Sequence, residues 1–328
     1  MRLAAKFPRR RFLRLAAGAA ALPAVARAAF ALDYPTRPVR ILVGFPPGAA
    51  TDIVARLIAQ SLSERLGQQF IVENKPGAAS NLAAETVARA APDGYTLLAM
   101  TVTNAVNTTL YEKTADFSFM KDIVPAASTI QSANVLEVNL SVPVKTVPEF
   151  IAYAKANPGK LNYASFGTGT APNMAAELFK MMTGTNLVHV PYRSAFMPDL
   201  LSGQVQVAFT PIPLTIANIR AGKLRAIAVT SKTPSEALPG VPTVAATVPG
   251  YEATIWHGIG APKGTPEDIV EKLHKEINAV LTDPTLKSKF DNLGAVPTPM
   301  TRAEFAKYIS VEVDKWAKVI KFADIKPS

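Results

Sequence analysis

Two short strings in this chain combine small residues, hydroxyls and the start of a helical pattern: F-P-P-G-A-A-T-D at 45–52 and S-F-G-T-G-T-A-P-N at 165–173. Each follows an apolar run that reads as a strand and precedes an amphipathic run that reads as a helix. Such a junction brings unpaired backbone N–H groups and the positive end of a helix dipole to one point, and glycine or alanine there lets a ligand approach closely. The chemistry on offer is the holding of an anion, a carboxylate above all, by neutral donors. From the first string the candidate contacts are Phe45, Pro47, Gly48, Ala49, Ala50, Thr51 and Asp52. The second supplies Ser165, Gly167, Thr168, Gly169, Thr170 and Asn173. Asp52 has two readings, an N-cap of its own helix or a partner for an amine or hydroxyl of the guest. Further candidates are Thr101 and Thr103 past a third strand, Tyr192, Arg193 and Ser194 after a strand ending at Val190, and Trp256 in a later apolar run. Arg193 reads equally as half of a surface ion pair, and Trp256 as interior packing between lobes.

The sequence offers little to a reaction. The second string lacks the lysine of a phosphate-binding loop and the third glycine of a dinucleotide fingerprint. His189, His257 and His274 stand at no metal-ligand spacing, and no G-x-S-x-G elbow accompanies them. Zero cysteines remove disulfides, thiolate metal sites and cysteine nucleophiles. No catalytic residue, no metal site and no cofactor are expected, and the protein is read as a binder and not an enzyme. An α/β enzyme with an interlobe cleft stays as the rival reading.

The elements that must position these strings alternate. Strands are expected at 39–43, 70–72 and 95–100, with helices over 52–66 and 81–91 between them; Thr51 or Asp52 caps the first helix and Gly67 ends it. A second unit starts with a strand near Val135, then a helix capped by Thr146 with Glu149 and ending at Gly159. Strands at 161–166, 187–190, 205–209 and 226–229 follow, with helices beginning near Asn173, Phe196 and Ile212. Such alternation means parallel strands with right-handed crossovers. After the Pro-rich stretch 234–249, an extended run at 251–261 reads as a return crossing between lobes. Helices over 267–281, 284–293 and 302–322 are expected to pack on the first lobe.

The chain has 328 residues, enough for two lobes, and no stretch apolar enough to span a bilayer. Its net charge of +10 suggests a phosphate-bearing partner, but seven of its 35 basic residues fall within the first 28 positions, which hold no acidic residue. The remaining 28 basic and 25 acidic residues nearly balance at +3, so nucleic acid is not an expected partner. That basic start, the apolar run 15–26 and the Ala26-Arg27-Ala28 site form an export leader, cleaved near Ala28. R-R-R-F-L at 9–13 resembles a twin-arginine signal, with an ordinary Sec leader as the alternative. A freely soluble exported chain without a lipid-bearing cysteine is expected in a periplasm, as a monomer.

The longer strings resemble the receptor family of tripartite tricarboxylate transporters, the Bug-type periplasmic solute-binding proteins. They are Y-P-T-R-P-V-R-I-L-V-G-F-P-P-G at 34–48, L-G-Q-Q-F-I-V-E-N-K-P-G-A at 66–78, A-R-A-A-P-D-G-Y-T-L-L at 88–98, V-P-Y-R at 190–193, A-G-K-L-R-A-I-A-V-T at 221–230, V-P-T-V at 241–244 and W-H-G-I-G-A-P at 256–262. The resemblance covers nearly all of the exported chain. It implies an α/β, type II periplasmic-binding-protein fold: two Rossmann-like lobes with open, mainly parallel sheets joined by two crossing strands. Expected bounds are a leader over 1–28, a first lobe over 29–132 plus 254–328 and a second over 133–253, with the ligand between them. The implied ligand is a mono-, di- or tricarboxylate, and the implied partners are the membrane permease subunits of such a transporter, or a sensor. Two positions depart from the family pattern: Ala49 stands where a second glycine is common, and Asn173 where histidine often stands.

Overall fold

The computed structural model describes residues 33–192 and 195–327. The expected leader, and the candidates Arg193 and Ser194, lie outside the described residues. Strand β1 (Val39–Val43) buries Val39, Ile41, Leu42 and Val43 and turns Arg40 outward, where its guanidinium forks onto Glu73. Helix α1 (Ala50–Leu66) lays Val54, Ala55, Ile58, Ala59 and Leu62 along one buried stripe and stops at Gly67, whose φ of 69° is the left-handed geometry of a helix end. Its N-cap is Ala49, not Thr51 or Asp52. Both of those sit inside the first turn, where Asp52 serves the loop behind it.

The first half continues with β2 (Phe70–Asn74), α2 (Asn81–Ala88) and β3 (Thr96–Thr101), and β1 pairs in parallel with both β2 and β3. Two helices that periodicity did not reveal follow, α3 (Val102–Leu110) and the short α4 (Phe119–Asp122). The α3 string V-T-N-A-V-N-T-T-L is poor in strong helix formers, and packing against the C-terminal helix compensates for its weak propensity.

Strand β4 (Ile123–Asn139) is far longer than the strand expected near Val135. Its first part pairs with β9 and its last residues, from Asn134, pair with β7 and β8. One strand thus passes from one half of the sheet to the other. The second half comprises α5 (Val147–Ala156), β5 (Leu161–Ser165), α6 (Ala171–Thr183), β6 (Leu187–Pro191), α7 (Met197–Ser202), β7 (Val207–Pro211), α8 (Ile212–Arg220) and β8 (Leu224–Val229). Strand β5 runs parallel to β6 and β7. The expected cap of α5 is present: Thr146 accepts the Glu149 N–H, while the Glu149 carboxylate takes the Lys145 N–H.

The chain returns through β9 (Thr254–Pro262), antiparallel to β3 and β4. Helix α9 (Glu267–Leu281), α10 (Pro284–Asn292), β10 (Ala295–Pro297) and α11 (Arg302–Phe322) close it. The sheet order β2-β1-β3-β9-β4-β7-β5-β6 puts two parallel groups on either side of an antiparallel centre. Helix α9 packs on α1 and β4, as expected of the closing helices. Helix α11 goes further, lying against α3, β4 and also α6 of the second half. Its Trp316 and the β9 residue Trp256 are both buried, and both indole N–H groups donate to the buried Glu312 carboxylate.

Candidate functional site

Register fixes where the strand ends meet. Thr101, the last residue of β3, pairs with His257 of β9, which lies beside β4 near Thr129; Pro211, the last of β7, pairs with Asn134 of β4. Strands β1 and β2 run with β3, and β5 and β6 run with β7. The carboxyl ends of both parallel groups therefore converge on the middle of β4, the edge at which open α/β sheets gather ligands. The loops that follow β1 and β5 both project there, and Gly169 comes close to α3: a Cβ on it would stand 3.0 Å from Leu110 Cδ2.

The two loops share one internal device. In the first, Gly48 adopts φ 82° and donates its N–H to Asp52 Oδ2 at 2.9 Å; in the second, Gly169 adopts φ 76° and donates its N–H to Asn173 Oδ1 at 2.9 Å. Asp52 and Asn173 are each the third residue of the following helix. A side chain from the helix's first turn reaches back over four residues and fixes a left-handed glycine, which holds the intervening backbone in one conformation. Ala49, despite the departure from the family pattern, has φ −66° and ψ 156°, open to any residue.

What stands behind each device differs. Asp52, 2% exposed, is gripped by Arg56 Nε at 3.0 Å and by Asn74 Nδ2 at 2.8 Å, and Asn74 also donates to the Phe45 carbonyl. Burial pushes the Asp52 carboxyl up, but Arg56, the Gly48 N–H and Asn74 outweigh it and hold it below the ordinary aspartate value. With both oxygens occupied, Asp52 is a brace of its loop. Asn173 Nδ2 instead donates to the Tyr163 hydroxyl at 2.8 Å, which donates to Glu177 at 2.5 Å; Lys180 lies 2.8 Å from the same carboxylate.

The remaining hydroxyls divide. Ser165 is fully buried; its Oγ lies 2.7 Å from His189 Nε2 and accepts the Gly167 N–H at 3.1 Å. Thr170 donates to the Gly167 carbonyl. These two shape the loop, and the half-buried Thr168 makes no side-chain hydrogen bond among the described residues. Burial pushes the His189 imidazole below its usual value, with Glu177 opposing and Lys180 adding to the fall. Tyr192 ties the neighbouring loop to Ser165 through its N–H and to Asp199 through its hydroxyl. Thr101 and Thr103 are buried, and the Thr101 N–H donates to Asn104 Oδ1. Trp256 is only 1% exposed, with Phe305 and Tyr308 edge-on to its ring, so it belongs to interior packing.

A third loop escaped the sequence reading. After β2, Ala78, Ala79 and Ser80 all have positive φ, 45°, 50° and 76°, a geometry costing side-chain-bearing residues roughly 1 kcal/mol or more each. Asn107 Nδ2 clamps it, donating to the Ala79 carbonyl at 2.6 Å and to Asn81 Oδ1 at 2.9 Å. Ser80 packs against Gly44, where a Cβ would fall 2.0 Å from Ser80 Oγ. The signal was present as K-P-G at the same strand-to-helix position as the other two strings. Ser80 Oγ, Asn104 Nδ2, Asn107 Oδ1, Thr129 Oγ1, both polar atoms of the Asn134 side chain and His257 Nδ1 are buried and have no partner among the described residues. Unpaired buried groups cost about 1–3 kcal/mol each, and these follow β2 or β3 or stand in the middle of β4 and β9. A cavity of about 680 Å³ beside α3 shares Asn104 and Asn107 with this set.

Comparison with known proteins gives consistent matches. The family model described as tripartite tricarboxylate transporter family receptor matches residues 54–325. Protein BugT of Bordetella pertussis is 33% identical over 88% of this chain and 90% of its own length. The solved structure of R. palustris Rpa4515 with adipate superposes with a TM-score of 0.79 at 36% identity, over 90% of this chain and 100% of that one. MatC (Rpa3494) from Rhodopseudomonas palustris with bound malate gives 0.75 at 31% identity, over 88% and 100%.

Proposed function

Because the chain belongs to the tripartite tricarboxylate transporter receptor family, a family of periplasmic solute-binding proteins, we propose that it captures a small organic carboxylate between two lobes and releases it unchanged. The lobes are residues 29–132 with 254–328, and 133–253, divided where β4 leaves β9 for β7 and again where the chain enters β9. What supports the reading is the pair of braced glycine loops, 45–52 and 165–173, each following a strand of a parallel group whose carboxyl ends converge on one stretch of β4. Each offers backbone N–H groups at the positive end of a helix, and Thr168 adds a hydroxyl with no side-chain hydrogen bond among the described residues. Among the unpaired polar atoms beside them, the Ser80 and Thr129 hydroxyls and the Asn104 and Asn134 amide nitrogens supply further donors. The adipate and malate bound by the two solved relatives support a carboxylate as the guest.

Ser165 and His189 have the separation of a nucleophile and its base, which is the one observation that favours an enzyme. Ser165 is fully buried, and its Oγ already accepts the Gly167 N–H, so binding is the better reading. In the cell the chain is exported by its leader to the periplasm, where it delivers the acid to the membrane subunits of a tripartite transporter or to a sensor. A thermal-shift screen against organic acids tests the capture. Ligand at about one hundred times Kd stabilises the folded state by about 2.7 kcal/mol and raises Tm accordingly. A broad carboxylate panel that leaves Tm unmoved contradicts the proposal, and turnover of an acid in the same mixtures favours the enzyme.

A further inference from the structure

The loops at the converging strand ends are unusually apolar between their backbone donors. Phe45 follows β1 by two residues and is half-buried on the first core; Pro46 and Pro47 beside it are exposed. In the second half, Phe166 directly follows β5 and is 38% exposed, although its ring lies 4.8 Å from that of Phe196 at a tilt of 43°, Phe196 itself being 1% exposed. Leu214, three residues beyond β7, is 56% exposed. Among the described residues of these loops the charged side chains are Asp52, which is held by Arg56, and Lys75, next to the outermost strand β2.

A phenyl ring braced from behind by a buried ring and left open in front is held in place to meet apolar matter. A compact polyanion has the opposite requirement, since each carboxylate that leaves water needs charge-assisted partners of its own. The neutral donors of these loops suit carboxylate ends, and the carbon surface between them suits hydrocarbon. We infer that the guest is a carboxylate with a substantial apolar body, an aromatic ring or a chain of four or more methylenes, and that Phe166 selects for that body.

The inference rests on the carboxylate-capture reading, and calorimetric titration of the purified protein separates the two. The probes are terephthalate and adipate against malate and citrate. Terephthalate or adipate is expected to bind at least about tenfold tighter than malate and citrate, from the extra apolar area buried. Phe166→Ala is expected to lower that selectivity ratio about fivefold or more, with Leu214→Ala as a second variant acting in the same direction. Thermal melts of both variants confirm folding before titration. Malate or citrate binding tightest, or a ratio unchanged in both variants, overturns the inference and leaves carboxylate capture standing. No binding of any of the four acids overturns both.

Discussion

Loops 45–52 and 165–173 solve the same backbone problem with side chains of opposite character. In each, a left-handed glycine gives its N–H to the third residue of the next helix. The first half uses an ionised carboxylate, Asp52, beside Arg56, whose side chain is 52% exposed. The second half uses the neutral Asn173 and sets its charges one step back, on Glu177 and Lys180. Where solvent reaches the counter-ion, a charged brace is tolerable; where the brace is buried against a tyrosine, a neutral amide avoids an uncompensated charge. The difference also bears on the guest. Asp52 is cancelled locally by Arg56, so neither loop turns a net negative group toward an incoming anion.

The contrast breaks most visibly at Asn173. Asn173→Asp keeps the acceptor for the Gly169 N–H but puts a carboxylate beside the Tyr163–Glu177 pair, and it should lower stability by about 3 kcal/mol or more in denaturant titration. A loss under about 1 kcal/mol would mean that the second loop tolerates charge as the first does.

The halves also differ in a pair of buried titrating groups. In the first, burial pushes the His257 imidazole down to about 4. In the second, burial pushes the Glu137 carboxyl up to about 7 against hydrogen bonds from Thr210 and Thr215, with no cation beside it among the described residues. His257 has a depressed value, so its contribution is full above its ordinary value of 6.5 and is lost as pH falls toward 4. Glu137 has a raised value, so its contribution is full below 4.5 and is lost as pH rises through 7. Between pH 4.5 and 6.5 the two run against each other at up to about 1.4 kcal/mol per pH unit each. Glu137→Gln removes one of them. The wild type should gain about 2 kcal/mol over this variant as pH falls from 6.5 to 4.5; a difference flat with pH would sink this account of Glu137.

The smallest effect sharpens the comparison from the other side. Asp52→Asn keeps an acceptor for Gly48 but loses the ion pair with a half-exposed Arg56, and should cost about 1 kcal/mol in the same titration. A cost as large as that of Asn173→Asp would make the two braces equivalent.

Much of the architecture was legible because it is local. Gly67 closes α1 as read, and the apolar periods of 267–281 and 302–322 match α9 and α11 residue for residue. Helix α3 was not legible, because T-V-T-N-A-V-N-T-T has little propensity and owes its form to α11. The length of β4 was hidden because its polar residues pair across the sheet and not along the chain. At the site, the two strings stood out by their small residues, but the roles within them depend on distant partners: Ser165 on His189, Asn173 on Tyr163, Asp52 on Asn74. K-P-G at 75–77 marks a turn there, but the positive φ of Ala78, Ala79 and Ser80 was not legible, since nothing in alanine or serine announces it.

A crystal structure with the tightest-binding carboxylate tests the central claim most directly. Carboxylate oxygens within hydrogen-bond reach of backbone N–H groups from both 45–52 and 165–173 is the predicted result. A carboxylate seated against one loop alone, or in the cavity beside Tyr111 and Phe117, contradicts it.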